Sequence, residues 1–266
     1  MHSSQNEQDS RHHAIAAKVP MLEPCDSAEC LAYTKLAYEL SEQYDTPFLL
    51  RLSTRVSHCR SLVELGEREQ RELRPYKKDV MKNVMMPAMA KGRHIVVEKR
   101  TEALRAWAET SGINQVEYND TRIGIVCAGT SYIYAREALG ERASYFKLGM
   151  VNPLPIQSLI DFARHVGQVY VIEELDDIIE THKRKHRMHI IIVAGFPTCG
   201  EFSQAVVREA LLGEDRPFHT FDKPVPGRPP VLCAGCPHRG LFYVLNQLKV
   251  TVSGDIGCYT LGASAP

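Results

Sequence analysis

Between Arg122 and Gly213, short runs of branched and aromatic residues alternate with stretches of helical period, and this alternation constrains the fold more than any other feature of the chain. RIGIVCAG, ASYFKLG, QVYVIEEL and MHIIIVAG each have the length of a strand. They are apolar at consecutive positions, as expected of strands buried on both faces. The stretches between and after them (TSYIYAREAL, residues 153–165, DDIIETHKRKH and EFSQAVVREALLG) read as helices. Strand and helix alternating at this spacing predict an α/β protein with doubly wound parallel sheets. Residues 123–128, 144–148 and 169–173 are expected to be parallel neighbours. Ser131 is a possible N-cap, Glu201 stands near the start of the closing helix, and Gly213 is its stop.

The flanks are less regular. After a polar start, AECLAYTKLAYELSEQY places Leu31, Ala32, Leu36, Ala37 and Leu40 on one helical stripe. FLLRLSTRV then reads as a short buried strand running into the polar set Thr54, Arg55, Ser57 and His58. That is a ligand-binding position in open α/β sheets and equally a position for a solvated loop. From Leu62 to Gly112 the pattern is charged and helical, with Val80, Val84, Met85 and Ala88 as an apolar stripe and the methionines as core filler. Residues 215–230 carry five prolines, which marks an ordered linker. VLCAGCPHRGLFYVLNQLKVTVSGD opens a further α/β unit, with a helix from about Arg239 and VTVSGD as its strand.

Charge and cysteine usage narrow the function classes. Lys+Arg and Asp+Glu both number 32, which removes the electrostatic argument for nucleic acid or an anionic membrane surface. No run approaches the roughly 20 apolar residues of a membrane span, and MHSSQNEQDSRHH lacks the apolar core of a signal peptide, so a cytoplasmic protein with reduced thiols is expected. Cys127, inside IGIVCAG, reads as a small core hydrophobe, and Cys25, Cys30, Cys59 and Cys199 define no metal-ligand spacing.

Two motifs near the end carry chemistry. CAGCPHRG sets a CxxC pair, Cys233 and Cys236, directly before His238 and Arg239, and Cys258 returns in SGDIGCYTLG. Three thiols can chelate iron or zinc, but a closed site normally takes four ligands and no fourth stands nearby, so a structural role remains open. In the second motif Gly254 and Gly257 permit close backbone approach to a diphosphate. Asp255 offers an oxygen to Mg²⁺ or, alternatively, caps a turn.

CAGCPHRG, its spacing to SGDIGCYTLG, SSQNEQDSRH and TRVSH together resemble the thiamine-diphosphate-dependent 2-oxoacid:ferredoxin oxidoreductases, and most of all the large subunit of the indolepyruvate branch. The resemblance implies the end of a pyrimidine-binding domain over 1–60, a helical connector over 61–119, a transketolase-C-terminal-like α/β domain over 120–222, and the linker and start of a diphosphate-binding domain over 223–266. Met1 would then be an internal methionine, and the chain an internal fragment inactive by itself. The resemblance further implies thiamine diphosphate and Mg²⁺ near Gly254, Asp255, Ile256, Gly257, Cys258, His238 and Arg239, with the SSQNEQD and TRVSH loops near cofactor or substrate. It also implies a partial iron-sulfur set at Cys233, Cys236 and Cys258 for a [4Fe-4S] cluster. The expected partners are a 2-oxoacid, coenzyme A, ferredoxin and a smaller beta subunit, with neither nucleic acid nor membrane. No side chain is assigned as catalytic. The stretch KRKHRMHIIIVAGFPTCGEF fits the family less well than its flanks. A non-redox thiamine enzyme would share the architecture without needing the three cysteines, and a non-catalytic assembly module is the reading from another class.

Overall fold

The structure, a computed structural model, describes residues 8–68, 70, 75–185, 196–214, 223, 224, 226 and 231–264. The chain divides into two units, Met1–Arg216 and Pro217–Pro266.

In the first unit the expected sheet forms from β4 (Ile123–Ala128), β5 (Ser144–Leu148) and β7 (Gln168–Ile172), with β3 (Gln115–Glu117) at its edge in the order β3-β5-β4-β7. β4 lies parallel to both neighbours, with Ile125 facing Tyr145 on one side and Tyr170 on the other. β3 runs antiparallel to β5, an edge the sequence pattern did not reveal. Successive side chains leave a strand on opposite faces, and both faces are covered. Val126, Phe146, Leu148 and Val171 pack against Leu159 and Phe162 of α7 (Ile156–His165). On the other face Ile125, Cys127, Tyr145 and Ile172 pack against Ala135 and Ala138 of α6 (Gly129–Leu139) and Val207 of α9 (Gln204–Leu212). This two-sided burial is why the strands read as unbroken apolar runs, each fully buried large side chain contributing about 1.5–3 kcal/mol.

A smaller sheet has the order β2-β1-β6, formed by β1 (Met21–Leu22), β2 (Leu49–Leu50) and β6 (Met150–Asn152); β1 is parallel to β2 and antiparallel to β6. β5 passes into β6 through Gly149 alone. A Cβ there would stand 2.4 Å from the Ile113 carbonyl oxygen, so the crossing needs glycine. Asn114 secures the crossing, its Oδ1 accepting from the Gly149 and Met150 amides at 2.9 and 3.1 Å. In chain order the helices here are α1 (Arg11–Ala17), which contacts β6, α2 (Ser27–Tyr44), which contacts β2, the five-residue α3 (Thr54–His58), α4 (Val80–Asn83) and the long α5 (Pro87–Thr110), and α8 (Ile178–Lys185) follows β7.

Several local expectations are corrected. The buried stripe of α2 runs through Tyr33 and Leu40 with Leu36 and Ala37 half-buried, while Ala32 is exposed. TRVSH is neither strand end nor loop but the helix α3, started by Ser53, whose hydroxyl accepts from the Val56 amide at 3.2 Å. No helix forms over the described part of 62–74, where Leu62 and Leu65 are 98 and 87 % exposed and give a helix nothing to pack. Val80, Val84 and Met85 lie exposed and fill no core. α6 begins at Gly129 on Ala128, so Ser131 is a buried helical residue and not a cap. α7 starts at Ile156 after a cis Asn152–Pro153 bond, not at Pro153. α9 starts after Ser203, whose side chain accepts from the Val206 amide, and Gly213 stops it in the left-handed region as expected. The fourth strand, expected in MHIIIVAG, lies outside the described residues.

In the second unit α10 (His238–Leu248) and α11 (Cys258–Ser264) are the regular elements among the described residues. VTVSGD forms no strand there: no neighbouring strand accompanies it among the described residues, and an extended segment without a ladder partner has no sheet to join. No helix among the described residues is long and apolar enough to cross a membrane.

Candidate functional site

The residues that leave the carboxyl ends of four strands in the first unit are Glu23 after β1, Arg51 after β2, Gly129 and Thr130 after β4, and Glu173 and Glu174 after β7. Open α/β sheets bind ligands outside such ends. Because β6 continues from β5, the ends of both sheets meet, and a Cβ on Gly129 would lie 2.6 Å from Glu23 Oε1. Gly129 has φ +51°, so a side chain is disfavoured there on backbone grounds as well.

Arg11, 2 % exposed, ties the group together. Its Nε donates to both oxygens of Asp9 at 3.0 Å and its Nη1 to Glu173 Oε2 at 2.7 Å. Nη2 donates to Asp9 Oδ2 at 2.6 Å and to the Glu174 and Asp176 carbonyls at 3.1 and 2.7 Å. The planar fork of arginine suits so many acceptors, where a lysine would not. Arg51 pairs with Glu23 and stands 3.9 Å from Asp9 Oδ1. Glu173 also accepts from the Ile179 and Glu180 amides at the start of α8. Glu174 accepts from the Phe202 amide at 2.8 Å and, at 3.5 Å, from the Thr130 hydroxyl. Glu23 Oε2 is buried with no hydrogen-bond partner among the described residues.

The four carboxyl groups Asp9, Glu23, Glu173 and Glu174 face two guanidinium groups, and the electrostatics follow. Burial raises the carboxyls of Glu173 and Glu174 above the usual carboxylate range, outweighing Arg11 in the first case and the Phe202 amide in the second. Asp9, against burial, is held below its usual range by Arg11 and then Arg51. A buried acid surplus next to two fixed cations can hold a proton. Glu23, Arg51, Glu173 and Glu174 carried no motif; their position, directly after an apolar strand run, is the signal that would have found them. Of the SSQNEQD loop, residues 3–7 lie outside the described residues, and Asp9 enters this network through Arg11. From TRVSH, Arg55 pairs with Glu201. Cys127 is fully buried, as expected, and burial raises its thiol.

The sequence-predicted cofactor residues lie in the second unit. Gly235, at φ +72°, turns the CAGC loop, and Arg239 closes it by donating to the Leu232 and Cys233 carbonyls at 2.8 and 3.3 Å. Arg239, Gly254 and Asp255 border one groove of about 840 Å³, with Phe242 and Tyr259 in its wall. The two motifs therefore do meet, and the donor set is right in kind for a diphosphate: backbone amides of a glycine turn, a guanidinium, and one carboxylate for Mg²⁺, which takes the rest of its shell from water and phosphate. In this structure Asp255 Oδ1 accepts from the Gly257 amide at 3.2 Å. His238 stacks on Phe242 at 5.8 Å and tilts over Tyr259 at 5.4 Å. Ile256 is 63 % exposed, and Cys258 is the exposed first residue of α11. Among the described residues no three His, Cys, Asp or Glu side chains gather as metal ligands, so Cys233, Cys236 and Cys258 do not close on a common centre.

No family model matches the sequence. Along its whole length the chain is 36 % identical to indolepyruvate oxidoreductase subunit IorA of Methanothermobacter thermautotrophicus, covering 47 % of that protein. It is 34 % identical to the IorA subunits of Archaeoglobus fulgidus and Thermococcus kodakarensis, covering 47 and 46 % of them. The chain thus spans about half the length of the curated relatives it matches. In fold it is similar to 2-oxoglutarate:ferredoxin oxidoreductase from Magnetococcus marinus, solved with 2-oxoglutarate, coenzyme A and succinyl-CoA bound. The TM-score is 0.53 over 78 % of this chain and 45 % of that one, at 14 % identity, so that likeness is one of fold.

Proposed function

We propose, from the premise that this chain is a relative of the indolepyruvate oxidoreductase A subunits, that it is part of an enzyme oxidatively decarboxylating aryl 2-oxoacids to acyl-CoA, with ferredoxin as electron acceptor. The observation that carries the reading is the 36 % identity sustained over the whole chain to a subunit bearing that name. The likeness of fold to a 2-oxoglutarate:ferredoxin oxidoreductase agrees with it. A smaller beta subunit is the proposed partner, and the cytoplasm the proposed location.

Thiamine diphosphate, when bound, supplies the nucleophilic carbon and the electron sink that decarboxylation of a 2-oxoacid requires. The chain's own residues bind and orient. Arg239 and the Gly254–Gly257 turn are proposed to receive the diphosphate, with Asp255 offering an oxygen to Mg²⁺ once its carboxyl leaves the Gly257 amide. Arg11 ties Asp9 to the segment that follows β7, through the Glu173 carboxyl and the Glu174 carbonyl. No electron path is assigned to Cys233, Cys236 and Cys258, because their thiols are not gathered; a [4Fe-4S] cluster belongs to the proposal for the whole enzyme.

The test is reduction of ferredoxin by the full-length protein with its partner subunit, supplied with indolepyruvate, coenzyme A, thiamine diphosphate and Mg²⁺. Reduction that needs coenzyme A and falls about 100-fold in Asp255→Asn supports the reading. Turnover without any electron acceptor would identify a non-redox thiamine enzyme instead.

A further inference from the structure

At the far end of α1 from Arg11, the first unit has a cleft of about 680 Å³, a volume that admits a small organic ligand. It opens between the end of α1, the side of α5, the turn into α7 and the middle of α8. Its floor is apolar: Leu104 and Leu154 are 2 and 4 % exposed, with Ile15 and Ile156 beside them. Its rim is charged, and the bookkeeping of those charges selects a ligand class.

Glu109 keeps its negative charge, but its oxygens are committed to the N-terminus of α7. Its Oε1 accepts from the Gln157 amide at 2.9 Å, and its Oε2 from the Ser158 amide at 2.8 Å and the Ser158 hydroxyl at 2.6 Å, so it caps α7 and has little left for a ligand. Lys18 pairs with Glu98. The ring of His182 has Nδ1 3.0 Å from the Ile178 carbonyl. A carbonyl only accepts, so Nδ1 carries the proton and Nε2 is left as an acceptor in the neutral ring. Arg105 is the remaining cation on this rim; it is exposed, and no ion pair engages it among the described residues. One exposed guanidinium that no ion pair engages among the described residues, above an apolar floor, matches one carboxylate on an apolar body.

We infer that the cleft formed by Leu104, Leu154, Ile15 and Arg105 binds a monoanionic amphiphile, a single carboxylate carrying a medium-length aliphatic or aromatic tail. The tail lies against Leu104 and Leu154, the carboxylate pairs with Arg105, and the acceptor on His182 takes a proton donor on the ligand when there is one. The site is separate from the strand-end network and from the glycine-turn groove, and it does not depend on the redox chemistry proposed above.

Octanoate is the probe, titrated by calorimetry into the 266-residue chain, with octan-1-ol as the uncharged control. Saturable binding of octanoate with a dissociation constant of about 1 mM or tighter is expected. Arg105→Gln should weaken it about tenfold and leave thermal unfolding unchanged, while Arg105→Lys should keep it within about threefold of the parent, since a charge-assisted hydrogen bond to a surface cation is at stake. Octanol binding as tightly as octanoate, Arg105→Gln binding like the parent, or no saturation up to about 10 mM would each overturn the inference.

Discussion

Single residues decide how the strand ends meet. Gly129 holds φ +51° with Glu23 Oε1 2.6 Å from where a Cβ would sit, so Gly129→Ala incurs both a left-handed backbone penalty and a clash with a buried carboxyl. A loss of about 2–4 kcal/mol in urea unfolding is expected, and an unchanged midpoint would show that Glu23 moves freely. Glu174 gives a prediction with a sign. Burial raises its folded pKa, so the fold favours the protonated form, and the stability it contributes is present at low pH and lost as pH rises through the folded value. Glu174→Gln imitates the protonated form and keeps an oxygen for the Phe202 amide. The variant should therefore be more stable than the parent by about 1 kcal/mol at pH 8 and equal to it once Glu174 is protonated, as unfolding at several pH values would reveal. Cys127 was legible because a small thiol in an apolar strand has one economical place. Glu174 was not, because its burial depends on Phe202 and Thr130, which stand far from it in the sequence.

At the scale of elements, the legible parts were those whose pattern is local. β4, β5 and β7 are buried on both faces and announce themselves as apolar runs. β3, with Val116 44 % exposed, has neither the run nor the alternation, and its place comes from pairing with β5. The strands β1 and β2 are two residues each, too short for any period. Helix starts were misplaced where a polar residue a few positions away looked like a cap. Ser131 is helical, whereas Ser203 accepts from the Val206 amide and starts α9. Ser203→Ala should lower stability by about 1 kcal/mol, measured by thermal unfolding, while Ser203→Asp should retain the cap. In the second unit the glycine turn and the CxxC loop were visible as motifs, and Arg239 and Asp255 line one groove. The convergence of three thiols was an expectation from the family resemblance and from the loops of a doubly wound sheet lying side by side; among the described residues no strand forms at VTVSGD to set that arrangement, and Cys258 opens α11.

For the whole molecule, the three apolar clusters of the first unit draw their members, among the described residues, from 14–212. A chain ended at Arg216 should therefore unfold cooperatively with the same urea midpoint as the first transition of the 266-residue chain. A midpoint lowered by more than about 1 M would mean that the second unit holds the first together. The small sheet has a consequence of another kind. β1 finds its antiparallel partner in β6, so Met21 pairs with Asn152 and Leu22 with Met150 across more than half of the first unit. Loop closure on that scale is slow relative to helix formation and to the nearer β4–β5 pairing. During vectorial synthesis the segment holding α1 and α2 leaves the ribosome well before the strand that completes its sheet has been made. Met21 and Leu22, 2 and 0 % exposed in the finished fold, spend that interval paired with β2 on one side and without their β6 partner on the other.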